Sequence, residues 1–238
     1  LGGSIGIPIV NFERRAIFTE SDPNNNLKDF SYAIYDERYE AKGVGFNAKL
    51  GLIFKPTNQI RTGLSIHTPT IYGLREITTG RMEADLEDYL KDGQISVATA
   101  DSIYTQYGAA IPDYRYDFIS PWKFLVSGSY IFSGVEDVTK QKGFITADIE
   151  YVTHASSRFH SSDNIDDDEY YQGVNDGVKL SYKNAFNFRL GGEMKFNTFM
   201  TRLGFSYYGS PYKEKEFNAH KMNVSGGLGY RGGGIFLD

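Results

Sequence analysis

A chain of 238 residues with no cysteine and a net charge of −5 has no disulfide framework, no thiolate metal site and no concentrated basic face for nucleic acid. Tyr (18), Phe (17) and Gly (26) are abundant and Pro (7) is modest, the profile of a β protein with many tight turns. Mean hydropathy is negative, and no apolar run approaches the roughly 20 residues of a transmembrane helix. A helical membrane protein is thereby excluded, but not one that crosses with strands, each of which needs only about 9–11 residues with one apolar face.

Leu1 opens no signal peptide and is not an initiator Met, so the start reads as internal or processed. An irregular first strand is predicted around Ser4–Phe12, interrupted by Pro8. Clear period-two alternation begins at Val44–Lys55. Val44, Phe46, Ala48, Leu50, Leu52 and Phe54 share one face, opposed by Gly45, Asn47, Lys49, Gly51 and Lys55. Successive strand side chains point to opposite faces, so this run has one apolar and one polar surface. Lys55–Asn58 supplies a turn with Pro56. The next strand sets Ile60, Thr62, Leu64 and Ile66 against Arg61, Gly63, Ser65 and His67.

The same grammar returns along the chain. Trp122, Phe124, Val126, Tyr130 and Phe132 oppose Lys123, Ser127 and Ser129; Ile145, Ala147, Ile149 and Tyr151 oppose Thr146, Asp148 and Glu150. Phe186, Phe188, Leu190 and Met194 oppose Asn187, Arg189, Glu193 and Lys195. Phe199, Thr201, Leu203, Phe205 and Tyr207 oppose Arg202, Gly204 and Ser206. Met222, Val224, Leu228 and Tyr230 oppose Lys221, Asn223 and Ser225, and Ile235–Asp238 begins another strand.

Alternation alone does not say which face is inside, and a soluble sandwich would put the apolar one there. Three features favour the inverse. Short links at Lys55–Asn58, Phe196–Thr198 and Arg231–Gly234, with a moderate one at Ser133–Gly143, alternate with long polar ones at Glu13–Lys42, Tyr72–Ile119, Thr153–Leu180 and Gly209–Asn218; that is the outer-membrane pattern of short turns on one rim and long loops on the other. Aromatics gather at both strand ends: Phe54, Phe132, Phe196, Phe199 and Tyr230 beside the short turns, and Trp122, Tyr151, Phe186 and Tyr207 opposite. Every clear strand also keeps a polar face, as a water-lined lumen requires. The expected fold is therefore all-β, an antiparallel transmembrane β-barrel in the outer membrane of a Gram-negative bacterium. It forms one domain over residues 1–238 with about eight to nine strands. A closed barrel has an even strand number and no edge, so the chain reads as part of a longer one, cut at both ends.

Gly43–Pro69, GVGFNAKLGLIFKPTNQIRTGLSIHTP, resembles a hairpin of the FadL family of outer-membrane transporters: a Gly-rich strand, a lysine–proline turn and a strand ending in an aromatic-x-(Ser/Thr)-Pro element, here Ile66-His67-Thr68-Pro69 without the aromatic. Ser120-Pro121-Trp122-Lys123 is similar to the family's later (Ser/Thr)-Pro-Trp strand start. The resemblance spans roughly Ile5 to Tyr230 outside the loops. It implies a fourteen-stranded barrel, of which this is the C-terminal part. It also implies passive diffusion of long-chain fatty acids, aromatic hydrocarbons or other apolar solutes. The family's N-terminal hatch and Asn-Pro-Ala element have no counterpart here.

The polar faces give a predicted lumen set of Lys49, Arg61, Lys123, Asp148, Glu150, Arg189, Glu193, Arg202 and Lys221. Mixed signs suit mutual neutralisation; the functional alternative is that Lys49, Arg61, His67, Lys123, Arg189 and Arg202 bind a solute carboxylate. Asp148 and Glu150 lie about 7 Å apart on one strand face, and Arg189 and Arg202 on following strands suggest a structural ion-pair network instead of paired-carboxylate catalysis. Gly227–Gly232 fits G-x-G-x-x-G but precedes no helix, so it reads as turn-forming sequence. Asp163–Glu169 lacks the Gly and final Glu of an EF-hand and reads as a solvated loop, with loose divalent binding as the alternative. His67, His154, His160 and His220 lack zinc spacing. Glu83–Lys91 carries Leu86 and Leu90 at helical spacing and reads equally as a short helix or a loop. No catalytic residue, metal or cofactor is expected. The expected partners are outer-membrane lipid, lipopolysaccharide and a hydrophobic solute, with the barrel a monomer. A barrel serving a structural or secretion-system partner, and a soluble β-sandwich binding module, are the rival readings.

Overall fold

The computed structural model describes residues 1–24, 29–87, 95–108, 111, 113–132, 142–162, 168–217 and 219–238. Its strands are β1 (Gly2–Gly6), β2 (Ile9–Ser21), β3 (Tyr32–Phe54), β4 (Ile60–His67), β5 (Ile71–Asp85), β6 (Ile95–Thr99), β7 (Tyr114–Ile119), β8 (Lys123–Phe132), β9 (Gly143–Val152), β10 (Arg158–Ser161), β11 (Ala185–Phe196), β12 (Phe199–Tyr208), β13 (Lys221–Gly232) and β14 (Ile235–Leu237). Two helices, α1 (Ala100–Gln106) and α2 (Asp168–Ser181), interrupt them. The chain is all-β, and the strands form one antiparallel sheet.

These fourteen segments are nine passes of chain and one extra hairpin arm. β1 and β2 keep one register against β3, from Gly2↔Gly51 to Ser21↔Tyr32. The other edge of β3 is lined by β4 and β5. In the same way β7 runs on into β8, and β9 into β10. β11, β12, β13 and β14 complete the meander, and β6 folds back on the end of β5. Nine passes accord with the eight to nine strands expected. The sheet is open, with no pairing between its first and last passes among the described residues. Its fourteen segments are thus not the closed fourteen-stranded barrel that the resemblance implied.

The long polar links need correction. Glu13–Lys42 consists mostly of the upper halves of β2 and β3, and Tyr72–Ile119 begins and ends in β5 and β7. Thr153–Leu180 holds β10 and most of α2. Residues 83–85 of the stretch read equally as a short helix or a loop are strand, and 88–91 lie outside the described residues, as do 163–167 of the acidic run and most of Ser133–Gly143. Gly227–Gly232 lies in β13, and the turn follows it at Gly233 and Gly234, whose φ values of +60° and +80° are the left-handed pair a tight hairpin requires.

A seam divides the sheet into a lower wall and an upper extension. Between Phe46↔Ile71 and Lys49↔His67, two residues of β3 face three of the opposite pass (Thr68, Pro69 and Thr70), which is a bulge. Proline lacks an N–H and fits where the ladder breaks. The seam continues at Pro8, whose carbonyl accepts from Gly45, at Pro121, and at a 3-10 turn over His154–Ser156. Side chains pin it: Thr70 N–H donates to Ser120 Oγ at 2.8 Å and Asn47 Nδ2 to Thr70 Oγ1 at 2.8 Å.

Register carries the alternation across the whole wall. Leu52, Leu64, Val126, Ile149, Phe188, Tyr207 and Met222 are successive partners on one face. One residue along, Leu125, Glu150, Asn187, Tyr208 and Lys221 share the other. Burial runs opposite to that of a soluble domain. Leu64, Val126 and Leu190 are 55%, 53% and 49% exposed, although their strands are paired on both sides, whereas Glu150 and Asn187 are 8% and 9% exposed.

Above the seam the faces exchange character. The surface continuous with the apolar face now carries Lys42, Glu40, Arg38 and Asp36 of β3, beside Glu13 and Arg15 of β2 and Arg75 and Arg81 of β5. Ion pairs tie them, among them Arg38–Glu13 at 3.0 Å and Arg75–Asp113 at 2.8 Å. The opposite surface carries Phe12, Tyr39, Tyr72, Tyr116, Phe118 and Phe159, with Phe118 and Phe159 rings 4.8 Å apart. Gly43 lies under this surface because a Cβ there would fall 2.3 Å from the Gly73 carbonyl oxygen. Gly43→Val should cost about 1–3 kcal/mol through backbone displacement. Gly128→Ala, whose added Cβ meets nothing within 4 Å, should leave the thermal midpoint unchanged.

Candidate polar-face site

All nine residues of the predicted lumen set lie on the polar face of the wall, as the register places them. Two clusters among them are neutralised. Asn187 Nδ2 donates to Glu150 Oε1 at 2.7 Å, Arg189 Nη2 reaches the same oxygen at 3.2 Å, and the Arg189 guanidinium stacks 5.7 Å from the Tyr208 ring centre. Arg202 donates to Glu193 at 2.7 Å and to Asp238 at 2.8 Å, while Lys195 approaches Glu193 at 3.7 Å. Of the six candidate solute ligands, Arg189 and Arg202 therefore already hold carboxylates. Their carboxylate partners are only 11% and 12% exposed at the side chain, so removing either Arg strands a buried charge.

Lys49, His67 and Lys123 form a different group. They are successive register partners directly below the seam, Lys49↔His67 and His67↔Lys123. Directly opposed residues have Cβ atoms about 4.5–5.5 Å apart, so the His67 imidazole stands between two ammonium groups that are two strands apart. Neither lysine has an ion-pair partner among the described residues, and His67 has only a long 3.4 Å contact with Ser65 Oγ. Glu150, the nearest carboxylate row, is engaged by Asn187 and Arg189. Arg61 is on the same face three rows lower, beside Ser129, and is not part of this group.

A trough of about 600 Å³ along this face is lined by Ser4, Lys49, Ser65, Leu125, Ser127 and Asp148, among others. One row above Lys49 on β3, Asn47 Oδ1 is the one buried side-chain polar atom without a hydrogen-bond partner among the described residues. The site thus combines excess positive charge with open volume, which meet at Lys49. Such an arrangement can hold an anionic group; no group of three or more metal-ligating side chains occurs among the described residues. Asn187 and Asn47 carried no signal in the sequence, where each is one polar residue in an alternating strand. His154 in the seam is half-buried. Burial first, then the Lys123 ammonium, hold its imidazole below the ordinary histidine range, so it adds no charge at neutral pH.

On the aromatic surface above the seam, the Tyr116 hydroxyl donates to Glu76 Oε1. Burial first, then this carboxylate, raise the Tyr116 phenol; the same causes push Tyr39 up to about 12.

No helix among the described residues is long and apolar enough to cross a membrane, which leaves crossing by strands untouched. No family model and no curated protein matches the chain.

Asn187→Leu should take one donor from the buried Glu150 carboxylate, while the Gly209 N–H keeps the Phe186 carbonyl, and lower stability by about 1–3 kcal/mol. Lys49→Gln relieves like-charge crowding and should leave the thermal midpoint unchanged or raise it; a large loss would show that the lysine has a structural role. A phenol raised in the folded state stabilises the fold fully below its unfolded pKa of about 10, and that contribution is lost as pH rises through about 12. Tyrosinate absorbance should therefore show a late-ionising fraction that shrinks in Tyr39→Phe; an unchanged titration would contradict the Tyr39–Glu76 arrangement.

Proposed function

We propose that the chain forms an arc of the wall of a β-barrel in the outer membrane of a Gram-negative cell, and that the barrel passes hydrophobic compounds by passive diffusion. One observation carries this reading: the apolar face is exposed in a belt of limited height, while the polar face opposite it holds the buried Glu150 and Asn187. On β3 the belt runs from Val44 to Phe54, about 33 Å along the strand, which at a usual barrel tilt gives roughly the 25 Å of an outer-membrane apolar band. Left in water, such side chains would each forfeit about 1.5–3 kcal/mol of burial energy, or tens of kcal/mol over the belt. Lipid removes that penalty. Rings mark the upper margin, where Phe124, Tyr151, Phe186, Phe188 and Tyr207 stand in neighbouring contacts of 4.8–6.5 Å. Phe199 and Tyr230, 5.3 Å apart, mark the lower one, as amphipathic and aromatic rings do at both interfaces.

The FadL-like hairpin and the unpaired Lys49–His67–Lys123 row support a solute with an apolar body and an anionic end, of which a long-chain fatty acid is one example and an aromatic acid another. Lipid and lipopolysaccharide would contact the belt and its charged upper border. A second reading is a barrel that holds a protein partner, and the upper extension favours it: β3 alone is 23 residues long, about 73 Å at strand rise, far beyond the belt.

Fractionation tests the first step. The full-length protein should sediment with outer membranes and need detergent for release; release by salt or carbonate alone would sink the membrane reading. Lys49→Gln/Lys123→Gln should then slow uptake of a fatty acid severalfold and leave uptake of a neutral hydrocarbon of similar length unchanged. Normal uptake of every apolar solute in a deletion strain, with a stoichiometric protein co-purifying, would favour the partner reading.

A further inference from the structure

Away from the polar-face site, the chain between β12 and β13 builds a second pocket that the transport reading does not use. Its volume is about 590 Å³, and Tyr182, Tyr212, Phe217, Glu214 and Glu216 line it. The Tyr182 and Tyr212 rings lie 5.2 Å apart and tilted by 36°, and Phe217 stands 6.1 Å from Tyr212 at 57°. Three rings set at different angles to one another thus line one void. Neither Glu214 nor Glu216 has an ion-pair partner among the described residues.

The pocket is held by backbone, so the rings stay in place when it is empty. Tyr182 and Tyr212 form an isolated antiparallel bridge, flanked by Lys183 N–H to Pro211 O at 2.7 Å and Lys213 N–H to Ser181 O at 2.8 Å. A 3-10 turn over Lys215–Phe217 brings Phe217 back toward Tyr212. Ser210 ties the loop, donating to Phe217 O at 3.4 Å and accepting from Tyr212 N–H at 3.3 Å. Lys213 is anchored on the Lys179 carbonyl, and neither it nor Lys215, which stands between the two glutamates, is among the lining residues. The loop therefore does not fill its own pocket.

Aromatic faces attract cations through the ring quadrupole, and the attraction is strongest for a large, weakly hydrated cation that gives up little water on entry. Two carboxylates at the mouth add long-range attraction and repel anions. We infer that this pocket binds a quaternary ammonium group carried by a small neutral-bodied molecule of the choline type. The class follows from the lining: a primary ammonium would lose more hydration than three rings return, and an apolar neutral solute would not use Glu214 and Glu216. The inference stands apart from the transport reading, since it rests on neither the belt nor the trough.

The test is calorimetric titration of the full chain, in maltoside micelles, with choline and with 3,3-dimethylbutan-1-ol, its neutral isostere. Choline should bind saturably and at least tenfold more tightly than the isostere. Tyr212→Leu should lose at least tenfold in choline affinity and Tyr212→Phe should retain it; Phe217→Leu should weaken binding similarly and serves if Tyr212→Leu fails to fold. Glu214→Gln/Glu216→Gln should weaken choline severalfold without altering the isostere. Absence of saturable choline binding, equal binding of the isostere, or wild-type affinity in both ring variants would overturn the assignment. Vesicles of phosphatidylcholine, compared with phosphatidylglycerol, identify the source: competition with free choline only by the former means that a lipid head group can also supply the ligand.

Discussion

The 23-residue strand β3 is the element on which the rest depends. It pairs with β1 and β2 along one edge and with β4 and β5 along the other, so its register is inherited by every pass that follows. A slip of one residue would turn Leu50, Leu52 and Phe54 onto the face of Lys49 and Gly51, and the error would propagate across the wall. The seam at Thr68–Thr70 is where the neighbouring pass alters its count without disturbing β3. Its proline, its bulge and the Thr70–Ser120 contacts let the wall below and the extension above obey different rules of polarity on one continuous backbone.

That division explains what the sequence disclosed and what it hid. Below the seam each strand has one strongly apolar face, so alternation in Val44–Lys55 or Phe186–Lys195 reads directly as strand, with the correct face assignment. Above it both faces are mixed. Phe12 is followed by Glu13, Arg14 and Arg15, and these charges are used in cross-strand pairs such as Arg14–Glu37 at 2.8 Å. Paired charges look in sequence like solvated loop, and 13–42 reads as a connection for that reason. The strands there are held by backbone ladders and ion pairs between partners more than twenty residues apart, a relation that local periodicity does not contain.

The candidate site was legible as a list and not as a place. Alternation puts Lys49, Arg61, His67, Lys123, Arg189 and Arg202 on one face, but only the pairing of three passes brings Lys49, His67 and Lys123 into one row and leaves Arg61 three rows away. The neutralised members were hidden for a related reason. Arg189 is satisfied by Glu150 together with Asn187, and an asparagine in an alternating strand gives no hint that it will be buried. Pairing therefore sorts the cations: some have their charge balanced within the wall, and others have it left over.

That leftover charge is the reason to look for function at the seam. A wall of mixed polar side chains minimises its energy by matching signs, as the Glu193–Arg202–Asp238 and Glu150–Asn187–Arg189 groups do. Two lysines flanking an imidazole, with no ion-pair partner among the described residues, violate that tendency within a single row. The cost is tolerable because the trough is open and water or a solute can screen the charge. On the proposed reading the solute would travel between two unlike surfaces, the aromatic sheet above and the polar wall below. On that reading the seam is where an amphipathic molecule would meet both at once, its apolar body against Tyr72 and Phe118 and its anionic end on Lys49 and Lys123. Position in the fold thus gives the row its meaning on the proposed reading: the same three side chains placed lower in the wall would lie away from the aromatic surface, as Arg61 does.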